Sequence, residues 1–92
     1  VLHEAPDYPS MGGSAKYRIR VHGRLTPQLS GRLENMSISN LSRDDGEVES
    51  VLEGILVDQS AFAGVLKTLY ELHLPVISAD CLGVVKDGQD KI

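Results

Sequence analysis

Residues 16–25 read Lys-Tyr-Arg-Ile-Arg-Val-His-Gly-Arg-Leu, and their strict alternation decides the fold. Tyr17, Ile19, Val21 and Leu25 fall on one side, with Gly23 among them. Lys16, Arg18, Arg20, His22 and Arg24 fall on the other. Successive side chains of an extended chain point to opposite faces, so this stretch is a strand with one face in a core and a basic face outside it. Such a strand needs pairing partners and a covering layer, and the sequence downstream supplies both.

Thr26 is a suitable helix cap and Pro27 suits a first helical position. Leu25, Leu29 and Leu33 recur every four residues and Met36 follows, which predicts a short amphipathic helix weakened by Gly31. Residues 37–43, SISNLSR, form a polar strand of the kind found at a sheet edge. Asp44-Asp45-Gly46 is a turn signal, and the β-branched run of residues 47–57 after it completes a hairpin. Asp58 caps a second helix over residues 59–72, whose apolar face is Phe62, Val65, Leu66, Leu69 and Leu72. Leu74-Pro75 stops it near His73, and residues 76–82, VISADCL, make the last strand. The order β-α-β-β-α-β predicts an α+β, ferredoxin-like sandwich. Its antiparallel sheet has four strands in the order 4-1-3-2, with two helices on one face.

The chain has 92 residues, a net charge of −4, 41% apolar and 24% charged residues, the composition of one small globular domain. A domain of this size buries roughly 60–65% of its unfolded surface, which allows one modest core. Residues 1–15, with Pro and Gly and no apolar period, read as a flexible leader. Residues 83–92 read as a flexible tail, and 16–82 as the folded unit. These three segments carry −2, 0 and −2 respectively, so no basic field steers nucleic acid to the domain. No apolar run is long enough to span a membrane, and no signal-peptide pattern is visible in these residues. The single cysteine, Cys81, cannot form an internal disulfide and reads as a buried, inert thiol. A cytoplasmic location is expected.

Two helices cover one side of the sheet, so the other side is open. The first strand places Arg18, Arg20 and His22 there. On the third strand the uncharged set Val48, Ser50, Leu52, Gly54 and Leu56 suits the helices, which leaves Glu49, Val51, Glu53, Ile55 and Val57 beside the arginines. Cross-strand pairs such as Arg20 with Glu53 follow, each worth about 0.2–1 kcal/mol. Nucleic-acid binding is not expected: this face has no aromatic side chain for base stacking, Tyr17 points into the core, and Glu49 and Glu53 repel phosphate. Arg18, Arg20, His22, Glu49, Glu53, Ile55 and Val57 are the candidate interface residues. A face of mixed apolar and paired charged groups is a natural self-complementary patch.

Two resemblances add to this. Asn40-Leu41, Asp45-Gly46 and Val48-Glu49-Ser50-Val51-Leu52-Glu53-Gly54 resemble the second and third strands of acylphosphatases. The resemblance implies that Asn40 positions an attacking water and that the loop after the first strand cradles phosphate. That loop, beginning Gly23-Arg24, departs from the family pattern: Pro27 stands where Gly is wanted and lacks an N–H donor. More extensively, over residues 17–79, the chain resembles small bacterial proteins of unestablished function. The matching residues are Gly23, Leu25, Leu29, Leu33, Ile38, Gly54, Asp58, Gln59, Leu66, Leu69, Leu72, Leu74, Pro75 and Ser78. Leu29 and Leu33 replace aromatics of that pattern. His73 replaces a glycine and is expected to take a positive φ.

No metal or other cofactor is expected. His3, His22 and His73 lie on unrelated segments, and Asp58-Gln59 reads as a helix cap. No phosphate loop, dinucleotide fingerprint or Ser-His-Asp pattern is present. The sequence therefore predicts a non-enzymatic interaction or regulatory module acting as a homodimer, through the open sheet face or an edge strand. It has a possible protein partner, and binds neither nucleic acid nor membrane. The alternatives are a small-metabolite sensor resembling ACT domains, with Gly23, Arg24, Thr26 and Gln28 in contact, and an acylphosphatase-like hydrolase.

Overall fold

The computed structural model describes residues 13–85, so most of the expected leader and tail lie outside the described residues. The elements are β1 (Ala15–His22), a 3-10 helix (Pro27–Leu33), β2 (Ser37–Ser42), β3 (Val48–Leu56), α1 (Gln59–Glu71) and β4 (Val76–Val84). Four antiparallel strands form one sheet in the order β2-β3-β1-β4. The protein is thus an α+β domain with a four-stranded antiparallel sheet and two helices.

The alternation of β1 becomes a sharp division of environments. Ala15, Tyr17, Ile19 and Val21 are buried, while Lys16, Arg18 and His22 are exposed. Leu52 and Leu56 of β3 join the buried face. Leu25, Leu33 and Met36 close the core from the first helical segment, and Val65 and Leu69 close it from α1. Tyr17 stacks on Phe62 with ring centroids 4.5 Å apart, and its hydroxyl accepts a hydrogen bond from Gln59 Nε2 at 2.8 Å. Burial, first of all, raises the pKa of that hydroxyl.

The first helix is a 3-10 helix, where the sequence spacing suggested an α-helix. Thr26 is extended but makes no side-chain cap bond. Glu34 and Asn35, both at φ 58°, end the segment in the left-handed region. Fourteen residues, 23–36, connect β1 to β2, and the 3-10 form advances about 2.0 Å per residue against about 1.5 Å in an α-helix. Its three-residue turn carries Leu33 and then Met36 into the core and leaves Leu29 at the margin.

Asp58 caps α1 as its position implies, its Oδ1 accepting the Ala61 N–H at 2.8 Å. At the far end the Leu74 N–H reaches the Leu69 carbonyl at 3.1 Å and the His73 N–H reaches Tyr70 at 3.0 Å. These two bonds are the Schellman closure, which requires a left-handed residue at His73, and its φ is indeed 61°. Leu74 then packs back on the end of β1. A Cβ at Gly23 (φ 118°) would lie 2.6 Å from Leu74 Cδ2. Gly54 likewise admits the backbone of Met36, 3.2 Å from where a Cβ would sit.

β4 is different in kind. It pairs only with β1, and its register shifts twice, leaving Ile77 and Leu82 as extra residues. Val76, Ile77, Ala79, Asp80, Cys81 and Leu82 are all exposed. The expectation of a buried Cys81 is corrected: the helical layer does not extend over this edge strand.

Candidate interaction surface

The open face of the sheet carries a ladder of paired charges. The β1–β3 register sets Arg18 opposite Glu53, Arg20 opposite Val51 and His22 opposite Glu49. Arg18 Nε donates to Glu53 Oε2 at 2.6 Å. Arg20, facing an apolar partner, reaches diagonally to Glu49, with Nη2 at 2.8 Å from Oε1. Arg43, at the start of the β2–β3 turn, donates to the other oxygen of Glu49 at 2.6 Å. His22 pairs with Glu47. The expected Arg20–Glu53 pair therefore does not form. The β1–β3 register sets Arg18, two residues earlier, against Glu53.

The turn itself is tight. The Gly46 N–H donates to the Arg43 carbonyl at 3.0 Å, Arg43 N–H to Glu47 at 2.8 Å, and Glu47 N–H to Asp45 Oδ1 at 3.0 Å. Gly46 supplies the positive φ, 88°, that the turn needs. This geometry brings Arg43 over Glu49, which is only 3% exposed. The hydrogen bond from Arg20, then that from Arg43, holds the Glu49 carboxyl below the usual carboxylate range, against the opposing effect of desolvation. The bond from Arg18 lowers Glu53 in the same way. Arg43 is raised, chiefly by its bond to Glu49.

All of the sequence-derived candidates, Arg18, Arg20, His22, Glu49, Glu53, Ile55 and Val57, stand on this side of the sheet or at its end. Ile55 and Val57 are 56% and 62% exposed, and Leu41 of β2 joins them at 53%. Arg43 and Glu47 complete the ladder and were not among the candidates. They flank the turn, one residue before and one after Asp44-Asp45-Gly46.

The helix-facing side holds a second polar cluster that charge patterning could not reveal. The Ser50 hydroxyl, fully buried, accepts the Leu25 N–H at 2.8 Å and Asn40 Nδ2 at 2.7 Å, and donates to the Gly23 carbonyl at 2.7 Å. Asn40 Nδ2 also reaches the Leu25 carbonyl at 3.2 Å. The Gly23 N–H is taken by Val48 at 2.8 Å. The loop after β1 is thus bound to the sheet through its own amides. Two of the donors a phosphate cradle would use are consumed, and Pro27 has none. Asn40, the residue matching the water-positioning asparagine of acylphosphatases, directs its amide into the protein. Arg24 lies at the loop surface, its Nη1 3.5 Å from Asn40 Oδ1, while Thr26 and Gln28 are exposed.

A shallow depression of about 350 Å³ lies at the end of α1 between Tyr70, Glu71, His73, Leu74 and Pro75. It is open and mostly apolar. Among the described residues no three His, Cys, Asp or Glu side chains are placed to hold a metal ion, and no helix is long and apolar enough to cross a membrane. His22 pairs with Glu47 at the end of β1, His73 ends α1, and His3 is outside the described residues.

No curated protein and no solved structure matches the chain. A family model does, over residues 16–80, which takes in β2, β3, both helices, the charge ladder, nearly all of β1 and the first half of β4. The chain belongs to that family, a domain of unknown function designated DUF8691.

Proposed function

We propose that this protein is a non-enzymatic interaction module that works as a homo-oligomer, in the first instance a dimer, in the cytoplasm. We read its β2-β3-β1-β4 sheet with two covering helices as a ferredoxin-like sandwich whose first helix is shortened to a 3-10 turn. The carrying observation is the one-sided distribution of cover. The core lies between the sheet and one helical layer, while Leu41, Ile55 and Val57 on the open face and Val76, Ile77 and Leu82 on β4 stay exposed. A domain with a core this thin gains from burying such groups against another copy.

Two features favour this reading over the enzymatic and sensor alternatives. The loop amides that would receive an anion or a metabolite carboxylate are bonded to Ser50 and Val48. The arginines of the open face are matched to carboxylates within the chain, so they are not poised for phosphate. Sedimentation equilibrium over the micromolar range tests the proposal, with a concentration-dependent dimer as the expected result. A monomer throughout that range overturns it. A thermal-shift screen of amino acids and nucleotides is expected to be flat. A ligand at 100 times its Kd would stabilise by about 2.7 kcal/mol, and such a response would move the assignment to a sensor.

A further inference from the structure

Resting on the homo-oligomer reading, we infer that the second copy binds along the outer edge of β4, antiparallel to it, about a two-fold axis at Ala79, so that two sheets become one. The sheet has two edges, β2 and β4, and they are guarded differently. β2 is shorter, six residues, and offers Ser37, Ser39, Asn40 and Ser42 with one exposed apolar residue, Leu41, and Arg43 at its end. β4 is nine residues long, contains no Lys, Arg or Pro, and exposes Val76, Ile77 and Leu82 by more than 40% each. β4 keeps a regular stretch of residues 78–81 between its two register shifts, and an edge without Lys, Arg or Pro is a template for another strand there. The occupant that fits it is a second copy, whose Ser78 and Asp80 complement those of the first.

The alternation of the β1–β4 ladder indicates where the free backbone groups lie. The Val85 N–H donates to Ser14 and the His22 N–H to Pro75, so both ends of the ladder are hydrogen-bonded pairs. Counting inward past the two register shifts makes Arg20–Ser78 and Arg18–Asp80 bonded pairs. Between them Ala79 belongs to a non-bonded pair, and its N–H and C=O point outward.

Charge then selects the register. A two-fold contact sets each residue against its own complement. An axis at Asp80, the one charged residue of β4, would set two carboxylates face to face at a Cα separation of about 4.5 Å. An axis at Ala79 sets Asp80 against the partner's Ser78 in both halves. Ser78 Oγ is buried without a hydrogen-bond partner among the described residues, and rotation about its χ1 gives that hydroxyl a carboxylate to donate to. The outer edges of the joined sheet are then two copies of the polar β2, so the assembly closes at a dimer rather than growing.

Engineered cysteines test this in a Cys81→Ser background. Ala79→Cys is expected to give a covalent dimer on mild oxidation, because Cα atoms across a bonded antiparallel pair lie about 5.5 Å apart, within disulfide range. Ser39→Cys on β2 is expected to give none. Ile77→Lys should weaken the dimer by on the order of tenfold or more while the circular dichroism spectrum is kept. Ile55→Glu on the open face should leave it unchanged. A dimer in sedimentation that fails to cross-link through Ala79→Cys, or that is lost with Ile55→Glu, overturns the β4 interface and leaves the homo-oligomer standing. A monomer in every condition overturns both. Should Ile77→Lys fail to fold, the Ala79→Cys result decides alone, since it changes one small exposed side chain.

Discussion

Glu49 and Ser50 are neighbours on β3, both buried, and they face opposite sides of the same sheet. On the helix side Ser50 is a neutral hydroxyl with three partners in a closed arrangement, and it ties the loop after β1 to the sheet. On the open side Glu49 is a carboxylate kept ionised beneath the guanidiniums of Arg20 and Arg43. The contrast shows two ways of making a buried polar group tolerable. One uses hydrogen-bond geometry and is indifferent to pH and salt. The other uses charge and depends on both. Only the first also shapes the backbone, and so only the first decides what the loop can bind.

The largest effect comes from the apolar layer on which the Ser50 side rests. Ile19→Ala, at a position with no exposure, should cost about 2–5 kcal/mol in denaturant unfolding. A loss below about 1 kcal/mol would mean that the helix side is not the principal core. Ser50→Ala comes next. It strands the Leu25 N–H and an Asn40 donor, and should destabilise by about 1–3 kcal/mol, equally at low and high salt. A strong salt dependence would erase the distinction between the two faces.

At the end of the helical layer, His73→Gly should stabilise by about 1 kcal/mol, because it removes the cost of a left-handed residue that has a Cβ. No gain in Tm would mean that His73 makes compensating contacts. The subtlest effect is in pH dependence on the open side. The folded Glu49 carboxyl lies below its unfolded value, so its stabilising contribution is complete above the unfolded pKa, near 4.3. It is lost as the pH falls through the lower folded value. Glu49→Gln should therefore flatten the fall of Tm between neutral and strongly acidic pH. Ser50→Ala should leave the shape of that curve intact. Identical acid limbs for the Glu49→Gln variant and the unaltered protein would refute the charge-based account of this face.

Legibility in the sequence followed the range of the interactions. The β1 alternation, the Asp58 cap and the Asp44-Asp45-Gly46 turn depend on residues within a few positions of one another, and each stands where its local chemistry puts it. The positive φ of His73 was also legible, because the resemblance places a glycine at that position. The split of β3 into a Glu-bearing face and an uncharged face could be read from residue types alone. The pairing across it could not, since a shift of two residues exchanges Glu53 between Arg20 and Arg18. The role of Ser50 was hidden because a lone serine in an apolar set gives no sign of its partners at Gly23, Leu25 and Asn40.

What the sequence determined by itself is thus the number and order of the strands and the sidedness of β1 and β3, because periodicity and turn chemistry act through neighbouring residues. What the tertiary structure decided is of longer range. The first helical segment is a 3-10 helix where its spacing suggested an α-helix. The register set which arginine meets which glutamate. The reach of the helical layer determined that VISADCLGV, apolar enough to be buried, would instead lie at an exposed edge. An apolar strand carries no mark of whether anything covers it. That depends on how far two helices extend across a sheet of four strands.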